Sequence, residues 1–325
     1  MTRTYFLLGL IFLILLHLPL FLSNYAVGLF VLIFFYAYLG QCWNIITGFT
    51  GDISLGHSLF VGIGAYTSTK LGMLLGISPW IGMFIGALLA TLIGLIIGYL
   101  GFRFRVKHVY FILLTLAFAE LGRIIVLHLR PLGHFMGIFI ELKPGFANFQ
   151  FSDNTPYYYI GLGYVVFSLI VFRGIQVSKL GRYLVALRED EDGAESIGVN
   201  SLKCKMIAMG ISTFMTALAG TFYANYIFYI HPDSVMSTSL SIEIVLRPIV
   251  GGMGTIFGPV VGSFILTPMA EFSRTYFAKA NLEGFHILIY GCLLIAAVLF
   301  FPKGIVSYLK RGLEYLPNIS KRTGK

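Results

Sequence analysis

Carboxylates are the groups whose spacing first suggests chemistry, and the densest set is Glu189, Asp190, Glu191, Asp192 and Glu195. Five of the fourteen acidic residues fall within those seven positions. A helix beginning near Glu189 would carry acids in its first turn, where the helix dipole favours them. Gly198 would then end it. A short, charged, capped helix of that kind suits docking onto a soluble protein. The same composition also fits a solvated loop.

The other ionisable groups come in pairs or alone. Glu120 and Arg123 are spaced i, i+3, and Glu243 and Arg247 are spaced i, i+4, so each pair can share one helix face. Pro248, directly after Arg247, should kink its helix. Asp52 and His57 stand close together, and a lone histidine in an apolar stretch reads first as a hydrogen-bonded link between helices. Cys42, Cys204 and Cys292 are far apart and fit neither a disulfide framework nor a zinc site. No metal or cofactor is expected. The acids are too scattered to converge at one depth, which speaks against a membrane enzyme. No G-x-x-x-x-G-K-[ST] phosphate loop is present, so energy from ATP would have to come from another chain.

The elements that position these groups must lie in a membrane. The 325 residues are 57% hydrophobic and 11% charged, with a mean hydropathy of +0.85. A soluble chain carries about 25% charged residues. Spanning helices need about 20 mostly apolar residues. The hydropathy pattern suggests spans near 5–22, 26–47, 57–77, 80–101, 109–129, 157–173, 204–227, two short pieces within 240–273, and 285–301. The first run is longer than a cleaved signal core and has no A-x-A-like site after it, so it reads as a retained span. The expected fold is all-α: one transmembrane bundle over 1–325, with about eight to ten spans, some broken or re-entrant.

The net charge of +9 reads as topology, not as a nucleic-acid surface. With the N-terminus inside, sixteen basic residues face the cytoplasm. They are Arg3, Arg103, Arg105, Lys107, Arg173, Lys179, Arg182, Arg188, Lys203, Lys205, Lys303, Lys310, Arg311, Lys321, Arg322 and Lys325. Five face outward: Lys70, Arg130, Lys143, Arg274 and Lys279. Cytoplasmic loops carry such an excess. Both termini are therefore expected inside, which requires an even number of crossings. Residues 130–156 fall outside; 174–203 and the basic tail at 302–325 fall inside.

Two segments are too rich in glycine to be ordinary helix interior: Gly48-x-x-Gly51 and Gly251-Gly252-x-Gly254-x-x-x-Gly258. Broken helix at membrane depth needs protein or a water-filled cavity around it, and transporters place such interruptions near the transport path. Gly48, Gly51, Ser54, Gly56, His57, Gly251, Gly252, Gly254 and Gly258 are thus candidates for lining a path. Close helix packing is the competing explanation for these glycines.

Four stretches together resemble the permeases for branched-chain amino acids of the LivM type. The loop GRYLVALREDEDGAESIGVN, Gly181 to Asn200, is similar to that family's G-R-x-x-x-A-[IL]-R-E-D-E-x-A-A-x-x-x-G-[IV]-N. It departs at Asp192 and Gly193, where glycine weakens a helix by about 1 kcal/mol relative to alanine. Trp43 to Tyr66, Tyr110 to Glu120 and Gly251 to Gly262 match the family's other elements. After the fifth span the family's T-G-G-[ST]-x-G-[ILM] is replaced by Leu132-Gly133-His134-Phe135-Met136-Gly137-Ile138, which bears on substrate or on contact with a binding protein.

The resemblance implies a non-catalytic permease subunit in a bacterial inner membrane. It implies partners as well: a second, homologous permease of the LivH type, two cytoplasmic ABC ATPases that bind the ATP, and an extracytoplasmic solute-binding protein. Arg188, Glu189, Asp190, Glu191, Ala194 and Gly198 would form the loop that couples to the ATPases, moving as one helix over 186–199. The solute would be a branched-chain amino acid or a related small polar molecule. The rival expectation is an ion-coupled secondary transporter using Glu120, Asp52 or His57.

Overall fold

The computed structural model describes residues 2–106, 109–279, 291, 295 and 304–306. The expected span at 285–301 and the tail at 302–325 lie almost wholly outside them, as does Cys292.

The described chain is helical nearly throughout. Its long helices are α1 (Thr2–His17), α2 (Asn24–Thr50), α3 (His57–Leu75), α4 (Pro79–Arg103), α5 (Val109–His128) and α6 (Asn154–Val177). Two short helices, α7 (Lys179–Glu189) and α8 (Glu191–Ser196), lead into α9 (Ser201–Ile227). The described part closes with α10 (Pro232–Val235), α11 (Thr238–Gly251) and α12 (Gly258–Lys279). Two two-residue strands, Ile138–Phe139 and Tyr229–Ile230, pair antiparallel and tie the α5–α6 connection to the end of α9.

Among the described residues, six helical stretches are long and apolar enough to cross a membrane: α2, α4, α5, α6, α9 and the α10–α11 run from Pro232 to Gly251. The other expected spans differ in kind. α1 has 16 residues, α3 is threaded with His57, Ser58, Ser68, Thr69 and Lys70, and α12 carries Glu271 and Arg274. The stretch expected as two short pieces is a helical hairpin, α11 and α12, interrupted at residues 252–257.

The two longest helices, α2 and α9, form the centre and are buried along most of their length. Small residues let neighbours approach them. A Cβ on Gly64 of α3 would stand 2.0 Å from the Ala217 carbonyl of α9, and one on Gly220 of α9 would stand 1.9 Å from the Val61 carbonyl of α3. Apolar burial drives helix association weakly in lipid, so this close packing supplies much of the attraction. The packing repeats with the halves exchanged: α3 lies on α4 and α9 as α11 lies on α12 and α2, and α4 lies on α9 as α12 lies on α2. Outward, α4 presents the exposed stripe Ile81, Phe84, Ile85, Leu88, Leu92 and Ile96, the apolar face a helix shows to lipid.

Arg103, Arg105, α7, α8 and the start of α9 share one end of the bundle, joined by contacts from Arg105 to Asp192 and Glu195 at 3.3 and 2.7 Å. This is the basic face. The 130–153 connection, the strand pair and α10 occupy the opposite face.

Candidate coupling joint and outer charged cluster

The first glycine segment ends α2. Gly51 takes φ +77° as the helix cap, its N–H bonding the Thr47 carbonyl at 2.9 Å. That left-handed conformation suits glycine. Residues 51–56 then run as non-helical backbone to α3, buried at Ser54 and Gly56, and side chains satisfy much of it. Trp43 Nε1 donates to the Ser54 carbonyl at 2.7 Å, and Thr47 Oγ1 donates to the Asp52 carbonyl at 3.0 Å. Leu55 N–H donates to Thr115 Oγ1 at 3.0 Å, and Gly56 N–H to Ser54 Oγ at 3.3 Å. Irregular backbone within a bundle is tolerated when it is covered in this way. Gly56 itself abuts the Thr115 carbonyl of α5.

The second glycine segment meets the first. Asn44, one turn before Gly48, accepts from Gly254 N–H at 2.8 Å and donates to the Thr255 carbonyl at 3.0 Å, so one amide reads a donor and an acceptor of the far segment. Gly48 has no room for a side chain: a Cβ there would lie 2.4 Å from Asn44 Oδ1 and 3.0 Å from Gly254 Cα. Gly252 caps α11, and Gly251 and Gly258 let the ends of α11 and α12 cross backbone to backbone. Gly304 rests on Gly252.

The α7–α8 loop closes over this junction. Arg188, on the last turn of α7, donates through Nη1 to the Gly48 carbonyl at 3.0 Å. Its stem covers Gly51, where a Cβ would stand 2.9 Å from Arg188 Cγ. Arg182, Arg188, Gly48 and Gly254 line a cavity of about 330 Å³. Lys205, near the start of α9, reaches Asp52 and Glu191 at 3.2 Å each and joins the α2–α3 connection to α8. Burial holds the Asp52 carboxyl above the ordinary aspartate value, with Lys205 opposing the shift.

The loop departs from the single helix expected over 186–199. α7 ends at Glu189, and Asp190 is extended at φ −153°, with its carboxylate capping Gly193 N–H at 3.0 Å. An aspartate prefers that N-cap role, so the chain breaks at Asp190 and α8 starts two residues later than the sequence suggested. The acids are divided: Glu189 bonds Arg188, Asp192 and Glu195 bond Arg105, and Glu191 turns inward to Ser201 and Lys205. Ala194 is buried, and Gly198 takes φ +92° in the turn into α9.

The remaining sequence candidates lie elsewhere. His57 is fully buried and bonds Ser212 of α9 at 3.0 Å, linking two helices. Arg247 is buried against the Tyr36 ring at 3.5 Å and reaches the Glu243 carboxylate at 3.4 Å. Glu120 and Arg123 pair at 2.8 Å, but toward the opposite face, where Arg123 also meets Asp233 of α10 at 2.5 Å and Thr238 of α11 donates to Glu120 at 2.6 Å.

The family of branched-chain amino acid transport system permease components matches residues 25–298. The chain belongs to that family. It is 28% identical to the high-affinity branched-chain amino acid transport system permease protein LivM of Escherichia coli, over 91% of this chain and 73% of the relative. The autoinducer 2 import permease LsrC of Yersinia enterocolitica is 26% identical over 66% of this chain and 60% of its own. The ribose import permease RbsC of Haemophilus influenzae is 27% identical over 36% and 41%. No solved structure matches. The chain is thus a multi-pass membrane permease component of an ABC-type transport system.

Within this permease component, sequence reasoning passed over Asn44 and Lys205 as site residues. Asn44 stands inside the Trp43–Tyr66 stretch that carried the resemblance, and Lys205 lies ten residues beyond the acid cluster. A polar amide and a lysine in otherwise apolar helices were the available signals, because such groups in a bundle find partners.

Proposed function

We propose that this permease component couples ATP hydrolysis in two partner ATPases to import of branched-chain amino acids or closely related small solutes. The basic face is then cytoplasmic, as the lysine and arginine bias predicts. The observation that carries the proposal is a chain of contacts from the loop through one glycine interruption to the other: Arg188 on Gly48 and Gly51, and Gly48 and Asn44 on Gly254 and Thr255. Pressure on α7–α8 from an ATPase reaches the ends of α2, α11 and α12 through that joint, and Lys205 carries it into α9 and the α2–α3 connection. The chain does no bond-making chemistry; it moves.

The groups an ion-coupled carrier would need are engaged otherwise. Asp52 is tied to Lys205, His57 to Ser212, and Glu120 to Arg123 and Thr238. Co-reconstitution of the chain with a partner permease, the ATPases and a leucine-loaded binding protein in proteoliposomes tests the proposal. Leucine uptake is expected to stop when the ATPases are hydrolysis-deficient. Uptake that persists with such ATPases and collapses with the proton gradient would contradict it.

A further inference from the structure

A second knot of charge lies at the opposite face, away from the coupling joint, where it ties α5 to α10 and α11. Four elements build it. α5 supplies Glu120 and Arg123, α10 supplies Asp233, α11 supplies Thr238, and α3, packed on α10, carries Tyr66 within electrostatic reach of Asp233. Arg123 gives Nε to Glu120 at 2.8 Å and Nη1 to Asp233 at 2.5 Å, and its Nη2 has no partner among the described residues. His231 caps α10: its Nδ1 lies 3.2 Å from the Asp233 N–H and 3.6 Å from the Asp233 carboxylate, and its Nε2 lies 3.2 Å from the Phe135 carbonyl. Two carboxylates around one guanidinium leave those three side chains one negative charge in excess.

Two further observations point to an occupant. Tyr66 is 3% exposed, and its hydroxyl has no hydrogen-bond partner among the described residues although it lies within electrostatic reach of Asp233 and Tyr229. A buried hydroxyl left unpaired is costly. The connection Leu132 to Ile138 packs beside this place, its Phe135 carbonyl on His231 and its Met136 carbonyl accepting from the Tyr229 hydroxyl.

We propose that this knot is the permease's own recognition site for the charged backbone of a zwitterionic α-amino acid. The inference rests on the import function proposed above and deepens it. The ammonium group offsets the excess charge of Asp233 and Glu120. The carboxylate takes the free Nη2 edge of Arg123 in a charge-assisted bond, with the Tyr66 hydroxyl and the N-terminal turn of α11 as further donors. Neutral amides lack the carboxylate, and simple anions lack the ammonium.

Equilibrium binding of tritiated L-leucine to the detergent-solubilised permease–ATPase complex, without binding protein, tests this directly. Saturable binding is expected, displaced by unlabelled L-leucine but not by leucinamide, 4-methylpentanoate or urea. Arg123→Gln and Asp233→Asn should each weaken it by about tenfold or more. Tyr66→Phe should weaken it several-fold, and Arg123→Lys should retain part of it. Gel filtration and ATPase activity of each assembled complex check that the variants fold. Absence of saturable binding, equal displacement by leucinamide or urea, or wild-type affinity in folded Arg123→Gln would overturn the site. Each of those results leaves ATP-dependent uptake in proteoliposomes untouched, so it is distinguishable from failure of the import function.

Discussion

The two ends of the bundle carry the same ionic composition in opposite settings. At the basic face Lys205 sits between Asp52 and Glu191, with side-chain exposures of 8%, 15% and 18%. At the opposite face Arg123 sits between Glu120 and Asp233, with exposures of 25%, 34% and 57%. Each is one cation between two carboxylates drawn from different elements. The buried set has its charges fixed on one another and joins α8, α9 and the α2–α3 connection. The open set uses an arginine, whose planar fork keeps a donor in reserve. In the proposed account, burial makes one triad a mechanical link and exposure leaves the other open to a ligand.

The comparison is broken most severely at Lys205. Lys205→Ala leaves two carboxylates facing each other in a buried place. Removing one partner of a buried ion pair costs about 3–5 kcal/mol, so the variant should unfold at clearly lower temperature in detergent. Asn44→Ala ranks next. It strands the Gly254 N–H and the Thr255 carbonyl, which are only part-buried, so each is worth about 1 kcal/mol, and a thermal unfolding series should show a loss below that of Lys205→Ala. Arg123→Ala, the equivalent change at the open end, should cost no more than about 1 kcal/mol in the same assay, because exposed pairs contribute little. An equal loss at Arg123 and Lys205 would erase the distinction between the two ends.

The smallest effect is expected at Asp52, and it has a definite sign. The folded state holds this carboxyl above its ordinary value, so protonation favours the fold, and the contribution is lost as pH rises through the raised value. At neutral pH the ionised carboxylate gives the triad a surplus negative charge. Asp52→Asn leaves Lys205 and Glu191 balanced. It should therefore match or slightly exceed the wild-type melting temperature at neutral pH, with the difference shrinking on acidification.

Much of this was legible in the residues. Hydropathy located the helices, and the glycine runs located both interruptions, because a helix cannot carry that many glycines without cost and Gly51 and Gly252 do end their helices. What the glycines do was harder to see. Their meaning depends on Asn44 lying against Thr255, 211 residues away, and on Arg188 lying against Gly48, 140 residues away. The i, i+3 spacing of Glu120 and Arg123 showed a pair, but the third member, Asp233, comes from α10 and is invisible to helix periodicity. The break at Asp190 was missed because a run of acids reads as one helix start, whereas its second member is itself the cap.

The central claim is that work passes from the α7–α8 loop through Arg188 and Asn44 into the glycine joint. A double-mutant cycle on solute transported per ATP hydrolysed, in the reconstituted complex, tests it most directly. Arg188→Ala and Asn44→Ala should each lower that ratio by about tenfold, the scale of one lost charge-assisted or buried bond, and the double variant should be no worse than the weaker single one, because both cut the same link. Losses that simply multiply, or a ratio unchanged in Arg188→Ala, would contradict the account.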